Sequence, residues 1–157
     1  MFKKALVSVF FLLLILLAGC QSIKGADWQA NEFSFSLVWN VYGISSYDSA
    51  TGKLVKTTDA TDPSRYETTL ILSDEQLEEI RTLLQELDPD SYPESYNPAK
   101  GISIPFETLV LTVRVGGKEK TVRCETLSLL PTPVDKKAEK FLNACRRIEE
   151  IITSTEE

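Results

Sequence analysis

The chain has three cysteines, Cys20, Cys124 and Cys145, a surplus of carboxylates, and no histidine. Without histidine there is no imidazole acid–base catalysis, no Ser-His or Cys-His nucleophile and no imidazole metal site. Chemistry is left to thiols, carboxylates and tyrosines. Asp59, Asp62, Asp88, Asp90 and Glu94 lie in polar stretches that contain prolines. Such oxygen ligands can hold calcium, but they lack the regular spacing and bend glycine of an EF-hand loop. Paired carboxylates can also hydrolyse glycosides, given a deep cleft. No S-x-x-K, G-x-S-x-G, P-loop or G-x-G-x-x-G occurs. The expectation is therefore a protein that is not an enzyme, with no cofactor and no metal. The alternative is a calcium- or small-ligand-binding sensor, or an unrecognised hydrolase, working through the loop carboxylates.

Two further groups of side chains stand out. Cys124 and Cys145 both fall on apolar faces, one of a strand and one of a helix. They form either a disulfide, if their Cα atoms approach within about 7 Å, or two buried thiols acting as small apolar residues. A bridge would add roughly 3 kcal/mol by closing the loop between them. The segment Asp88–Phe106 holds four of the seven prolines, together with Tyr92 and Tyr96. A connection of that length is often functional. Tyrosines on a stiff loop suit an interface, so Tyr92 and Tyr96 are a candidate binding loop. The competing expectation is that both rings fold back onto the body. The bend Tyr42–Asp48 is a second candidate of the same kind.

The elements that must position these groups are legible in part. Phe33, Phe35, Leu37, Trp39 and Val41 alternate with mostly polar residues, the period of a half-buried strand. A turn-rich stretch ending in Gly52 follows, Leu54–Thr57 returns, and Tyr66–Leu72 is again β-rich. Ser73-Asp74-Glu75-Gln76 is a capping box, and Leu72 with Leu77 forms a hydrophobic staple. Leu77, Ile80, Leu83, Leu84 and Leu87 then make one helical stripe, which Asp88-Pro89 ends. Around a two-residue Gly116-Gly117 turn, Arg114 faces Glu119 and Thr112 faces Thr121. On the opposite face, Leu111 meets Val122 and Leu109 meets Cys124. Thr132-Pro133-Val134-Asp135 opens a last helix with proline at its first position. Val134, Ala138, Phe141, Leu142, Cys145, Ile148, Ile151 and Ile152 are its apolar stripe. The order hairpin-helix-hairpin-helix predicts an α+β domain, with one antiparallel sheet and both amphipathic helices on one face.

The 157 residues suit one domain, and the hydrophobic fraction of 43% is that of a globular protein. A net charge of −6 argues against nucleic acid, which demands clustered Lys and Arg.

The N-terminal segment reads as an address. Lys3 and Lys4 precede a 14-residue run, Ala5–Ala18, broken only by Ser8. That is short of the roughly 20 residues of a spanning helix and matches the core of a signal peptide. The run ends in Leu17-Ala18-Gly19-Cys20, which resembles the lipobox of bacterial lipoproteins. The resemblance implies cleavage before Cys20 and a thioether from its thiol to diacylglycerol, which carries palmitate-like chains. It divides the chain into a signal peptide (1–19), a lipidated tether (20–31) and a single α+β domain (32–157). The mature chain would keep 15 basic against 23 acidic residues. Its anchor would be the lipid bilayer, reached through Cys20, facing the periplasm or the cell exterior. Trp39–Lys56 is similar to the opening of small bacterial lipoproteins of unknown function, and that likeness transfers no site residue. The expected function is a noncatalytic envelope module that displays a binding domain to an envelope protein or polymer.

Overall fold

The computed structural model describes residues 22–28, 32–40, 44–57, 65–96, 107–126 and 135–155. Its strands are β1 (Phe33–Trp39), β2 (Ser45–Asp48), β3 (Lys53–Thr57), β4 (Arg65–Thr69), β5 (Ser95–Tyr96), β6 (Glu107–Val115) and β7 (Lys118–Thr126). Its helices are α1 (Asp74–Leu87) and α2 (Lys136–Thr155), with a 3-10 turn at Pro89–Ser91. The strands form one sheet in the order β4-β3-β2-β1-β6-β7-β5. The fold is α+β, but the sheet is mixed. β1 to β4 and β6–β7 pair antiparallel, whereas β5 runs parallel to β7.

The alternation in β1 decides which side of the sheet is wet. Phe35, Leu37 and Trp39 are buried, while Ser34, Ser36 and Val38 are only half-buried on the other face. The same division continues across the register. Leu37 pairs with Leu111, which pairs with Val122, all fully buried. Ser36 pairs with Thr112, which pairs with Thr121. The last two hydroxyls meet at 2.9 Å. The β6–β7 hairpin has the register read from Gly116-Gly117, including Arg114 opposite Glu119 and Leu109 opposite Cys124.

Helix α1 begins at the expected capping box. Ser73 Oγ accepts from the Gln76 amide, and Gln76 Oε1 accepts from the Ser73 amide. Ile80, Leu84 and Leu87 are its buried stripe. It ends at Asp88, whose φ of 54° closes the last turn through an N–H to Leu84 carbonyl bond. Helix α2 starts later than expected. Its first residue is Lys136, and Asp135 Oδ1 caps it by accepting from Ala138 N at 2.7 Å. A carboxylate on the N-terminal amides satisfies otherwise orphaned donors, a role that proline at the first position does not fill. Thr132, Pro133 and Val134 lie outside the described residues.

The helices run antiparallel. Gln76 Nε2 donates to Thr155 Oγ1 at 2.6 Å, and the Glu79–Arg147 pair follows further along. Buried residues of both helices join a single core cluster with one face of the sheet. Burying each large apolar side chain contributes roughly 1.5–3 kcal/mol. An exposed ion pair gives about 0–1 kcal/mol, so the apolar layer and not the surface charge holds the fold.

Three expectations are corrected. The turn-rich stretch before Gly52 contains a strand, β2, so the first half is a four-stranded meander and not a hairpin. The proline-rich connection is not structureless over its described part, which holds the 3-10 turn and β5; residues 97–106 lie outside the described residues. Residues 22–28 of the segment read as a polar tether pack onto the domain, and the rest of it lies outside the described residues. Ile23 is 3% exposed within the core cluster, and Trp28 rests against it with its ring 6.3 Å from that of Phe33. Ile23 N donates to Asp90 Oδ1, and the Lys24 carbonyl accepts from Lys118 Nζ.

The β2–β3 turn carries one demanding glycine. Gly52 has φ +69°, and a Cβ there would lie 2.9 Å from the Leu70 carbonyl oxygen. Gly117 has φ +74° with open space around it. A left-handed residue with a Cβ costs roughly 1–2 kcal/mol, and Gly52 adds a backbone clash. Gly52→Ala is therefore expected to destabilise more than Gly117→Ala in urea unfolding. Equal midpoints for the two variants would contradict this packing.

Candidate functional site

An open concave surface lies on the outer side of the helix pair. In α1, Glu75, Glu78, Glu79, Thr82 and Glu86 recur at intervals of three and four, so they share one face. Opposite them α2 supplies Arg147. Together with Asp74 and Leu83 these residues line an open groove of about 750 Å³. A smaller recess of about 210 Å³ continues past Leu83 and Glu86 to Lys140, Asn143 and Ala144.

Local chemistry makes this surface anionic. Arg147 is held by Glu79, at 2.9 Å from Nε and 2.7 Å from NH2, and by Glu150 at 3.2 Å from NH1. These hydrogen bonds push the guanidinium further toward its charged state. The Ser73 hydroxyl, and next the backbone amide of Glu75, hold the Glu75 carboxyl below its ordinary range. Glu75 is therefore a fixed anion near neutrality. Five carboxylates against one guanidinium favour ammonium or guanidinium groups of a ligand. At this exposure the attraction is screened by salt within about 10 Å.

The tyrosines singled out in the sequence serve the interior. Tyr92 is 2% exposed. Its ring lies 5.3 Å from that of Phe141 and 5.4 Å from that of Tyr96, and its hydroxyl donates to the Lys137 carbonyl at 3.1 Å. Lys137 Nζ sits 4.6 Å from the Tyr92 ring centre. Tyr96 is half-buried beside Phe141, and its hydroxyl donates to Asp135 Oδ1 at 3.3 Å. The pair is thus an aromatic clamp between β5 and the start of α2, and the binding-loop expectation for Tyr92 is corrected. The cause is Phe141, one of the largest apolar side chains of α2, which recruits both rings. In the second candidate bend, Tyr47 is also buried and donates to the Leu70 carbonyl, while Tyr42 lies outside the described residues.

The remaining candidates are placed as follows. Cys124 and Cys145 stand as buried thiols, 0% and 1% exposed. Asp88 is the left-handed cap of α1, and Asp90 holds Ile23 N. The Glu94 carbonyl accepts from Arg123 N. Asp59 and Asp62 lie outside the described residues, as does Cys20. Among the described residues no three carboxylates or thiols converge in a way that could hold a metal ion, and no helix is long and apolar enough to cross a membrane. The helix groove was missed at the sequence level because its glutamates read as an ordinary solvated helix face. The signal available was their three-and-four spacing, which says nothing of the Arg147 wall opposite.

No family model matches the chain, and none of the curated proteins compared with it does.

The clamp has a pH signature. Burial, and then the charge of Asp135, push Tyr96 up to about 12, while burial is the main cause raising Tyr92 and Tyr47. The folded state binds these protons more tightly than the unfolded chain. Their stabilisation is full below pH 10 and is lost at higher pH, for Tyr96 as pH climbs through about 12. Ultraviolet titration should show these phenols ionising late or together with alkaline unfolding. Complete reversible ionisation by pH 10.5 in folded protein would refute the clamp.

Proposed function

We propose that this protein is a lipid-anchored envelope lipoprotein that displays a small noncatalytic α+β binding domain. The observation that carries the reading is Leu17-Ala18-Gly19-Cys20 placed directly after a charged start and a 14-residue apolar run. In this reading residues 1–19 are removed and the Cys20 thiol becomes a thioether to diacylglycerol. One acyl chain alone holds a protein only marginally, while two or more make a stable anchor. The mature body, with its acidic excess, is repelled by anionic lipid and depends on that anchor.

The display role is supported by how the domain uses its polar groups. The phenols of Tyr47, Tyr92 and Tyr96 and the carboxylates of Asp90 and Asp135 pin segments and cap α2, and Asp88 closes α1 through its backbone N–H. The helix groove with Glu75, Glu79 and Arg147 remains open to solvent. A row of exposed carboxylates, with Glu75 held below its ordinary range, suits recognition of a cationic protein or polymer. A lowered carboxyl such as Glu75 does not suit general acid catalysis, which requires a raised pKa.

The test is metabolic labelling with a palmitate analogue, together with intact mass of the purified protein. The wild-type chain should lose residues 1–19, take up label and partition into detergent. Cys20→Ala should take up none and accumulate as precursor. A soluble form starting at Gln21 should stay in the aqueous phase. Equal labelling of wild type and Cys20→Ala, or none in the wild type, would overturn the anchor.

A further inference from the structure

The packed start of the domain constrains how an anchored molecule can stand on a membrane. Ile23 is buried in the core cluster, its amide donates to Asp90 Oδ1 at 3.3 Å, and the next carbonyl accepts from Lys118 Nζ at 2.9 Å. Three Cα–Cα steps separate Cys20 from Ile23, which limits the span to about 11 Å. A flexible tether of residues 20–31 would let the domain swivel freely. With the leash gripped at Ile23, only the few residues before it are left to swing.

We propose that the edge around Ile23, comprising Lys24, Asp90, Ser91, the Gly116-Gly117 turn and Lys118, is the membrane-facing surface of the lipidated protein. Its occupant is the lipid headgroup layer beneath the anchor. This rests on the lipoprotein reading of Cys20 and deepens it by fixing an orientation.

The rest of the molecule is then placed by topology. The 3-10 turn lies beside β7, near one end of the strand order, while β4 is the far edge. Five strand spacings separate β7 from β4, about 24 Å. Tyr66, 49% exposed on β4, belongs to the distant side. Along α1, Asp74 lies 14 residues from Asp88, about 21 Å at 1.5 Å per residue. The acidic end of the helix groove is therefore remote from the anchored edge and open to partners away from the lipid.

The experiment uses lipidated full-length protein in nanodiscs that carry a headgroup nitroxide. Single fluorophores are placed at Ser91→Cys or at Tyr66→Cys. Cys20 is consumed by its thioether and the native Cys124 and Cys145 are buried, so the unsubstituted protein serves as the labelling blank. Intact mass first establishes acylation of Cys20. Quenching should be several-fold greater at Ser91→Cys than at Tyr66→Cys. A ten-residue Gly-Ser spacer inserted after Gln21 leaves the folded body untouched and adds a flexible reach of about 17 Å. It should bring the two positions to similar quenching. Equal quenching without the spacer, or an unchanged ratio with it, overturns the orientation while leaving the anchor intact. An unacylated Cys20 overturns both.

Discussion

The structure depends on covering one face of a single sheet. Phe35, Leu37, Leu111, Val113 and Val122 present a continuous apolar layer across β1, β6 and β7. Left in water, that layer would lose most of the free energy that holds the fold. Two helices cover its centre, with Ile80 and Leu84 from α1 and Phe141, Ile148 and Ile152 from α2. They do not reach its margins. Ile23 and Trp28 close one gap, and Tyr92 with Tyr96 close another. The opposite face carries Ser36, Thr112 and Thr121, whose hydroxyls tolerate water.

Seen this way, residues attractive for recognition are absorbed by the cover. A tyrosine suits a binding surface because it is large, stiff and polar at one end. Those same properties suit the rim of a core, where Tyr92 can bury its ring and still give its hydroxyl to the Lys137 carbonyl. Asp90 and Asp135 are likewise committed, one to the Ile23 amide and one to the first turn of α2. The side of the cover that faces outward stays open to a partner, and its glutamates set the sign of the charge there.

Much of the fold was legible where local chemistry and long-range packing agree. Gly116-Gly117 dictates a tight turn, and the turn dictates every pair in its hairpin. Ser73 and Gln76 mark a helix start that needs no other information. Strand β2 was not legible, because Ser45-Ser46-Tyr47-Asp48 has one large apolar residue and takes its pairing from β1 and β3 on either side. Strand β5, two residues long, exists only because β7 offers it an edge. Ile23 was hidden in polar company, since one apolar residue has no period. The groove was illegible for a similar reason: a row of glutamates states what one helix exposes, and the second wall is a tertiary fact. Phe141 was visible as part of a stripe, but its two tyrosine partners lie about 50 residues earlier in the chain.

The position of β1 between β2 and β6 has a consequence for how the chain assembles. β1 is the earliest strand among the described residues, yet its second neighbour begins at Glu107, so Phe35 finds Val113 only after an intervening loop of nearly eighty residues closes. Contacts so distant along the chain slow the search for the native state. A nascent chain holding β1 to β4 alone has an open edge at β1 and an uncovered apolar face. On the export route proposed above, the chain would emerge N-terminus first and remain incomplete until the last hairpin and α2 followed. Its assembly is therefore governed by its C-terminal third, and a truncated product would present an unpaired strand to its neighbours.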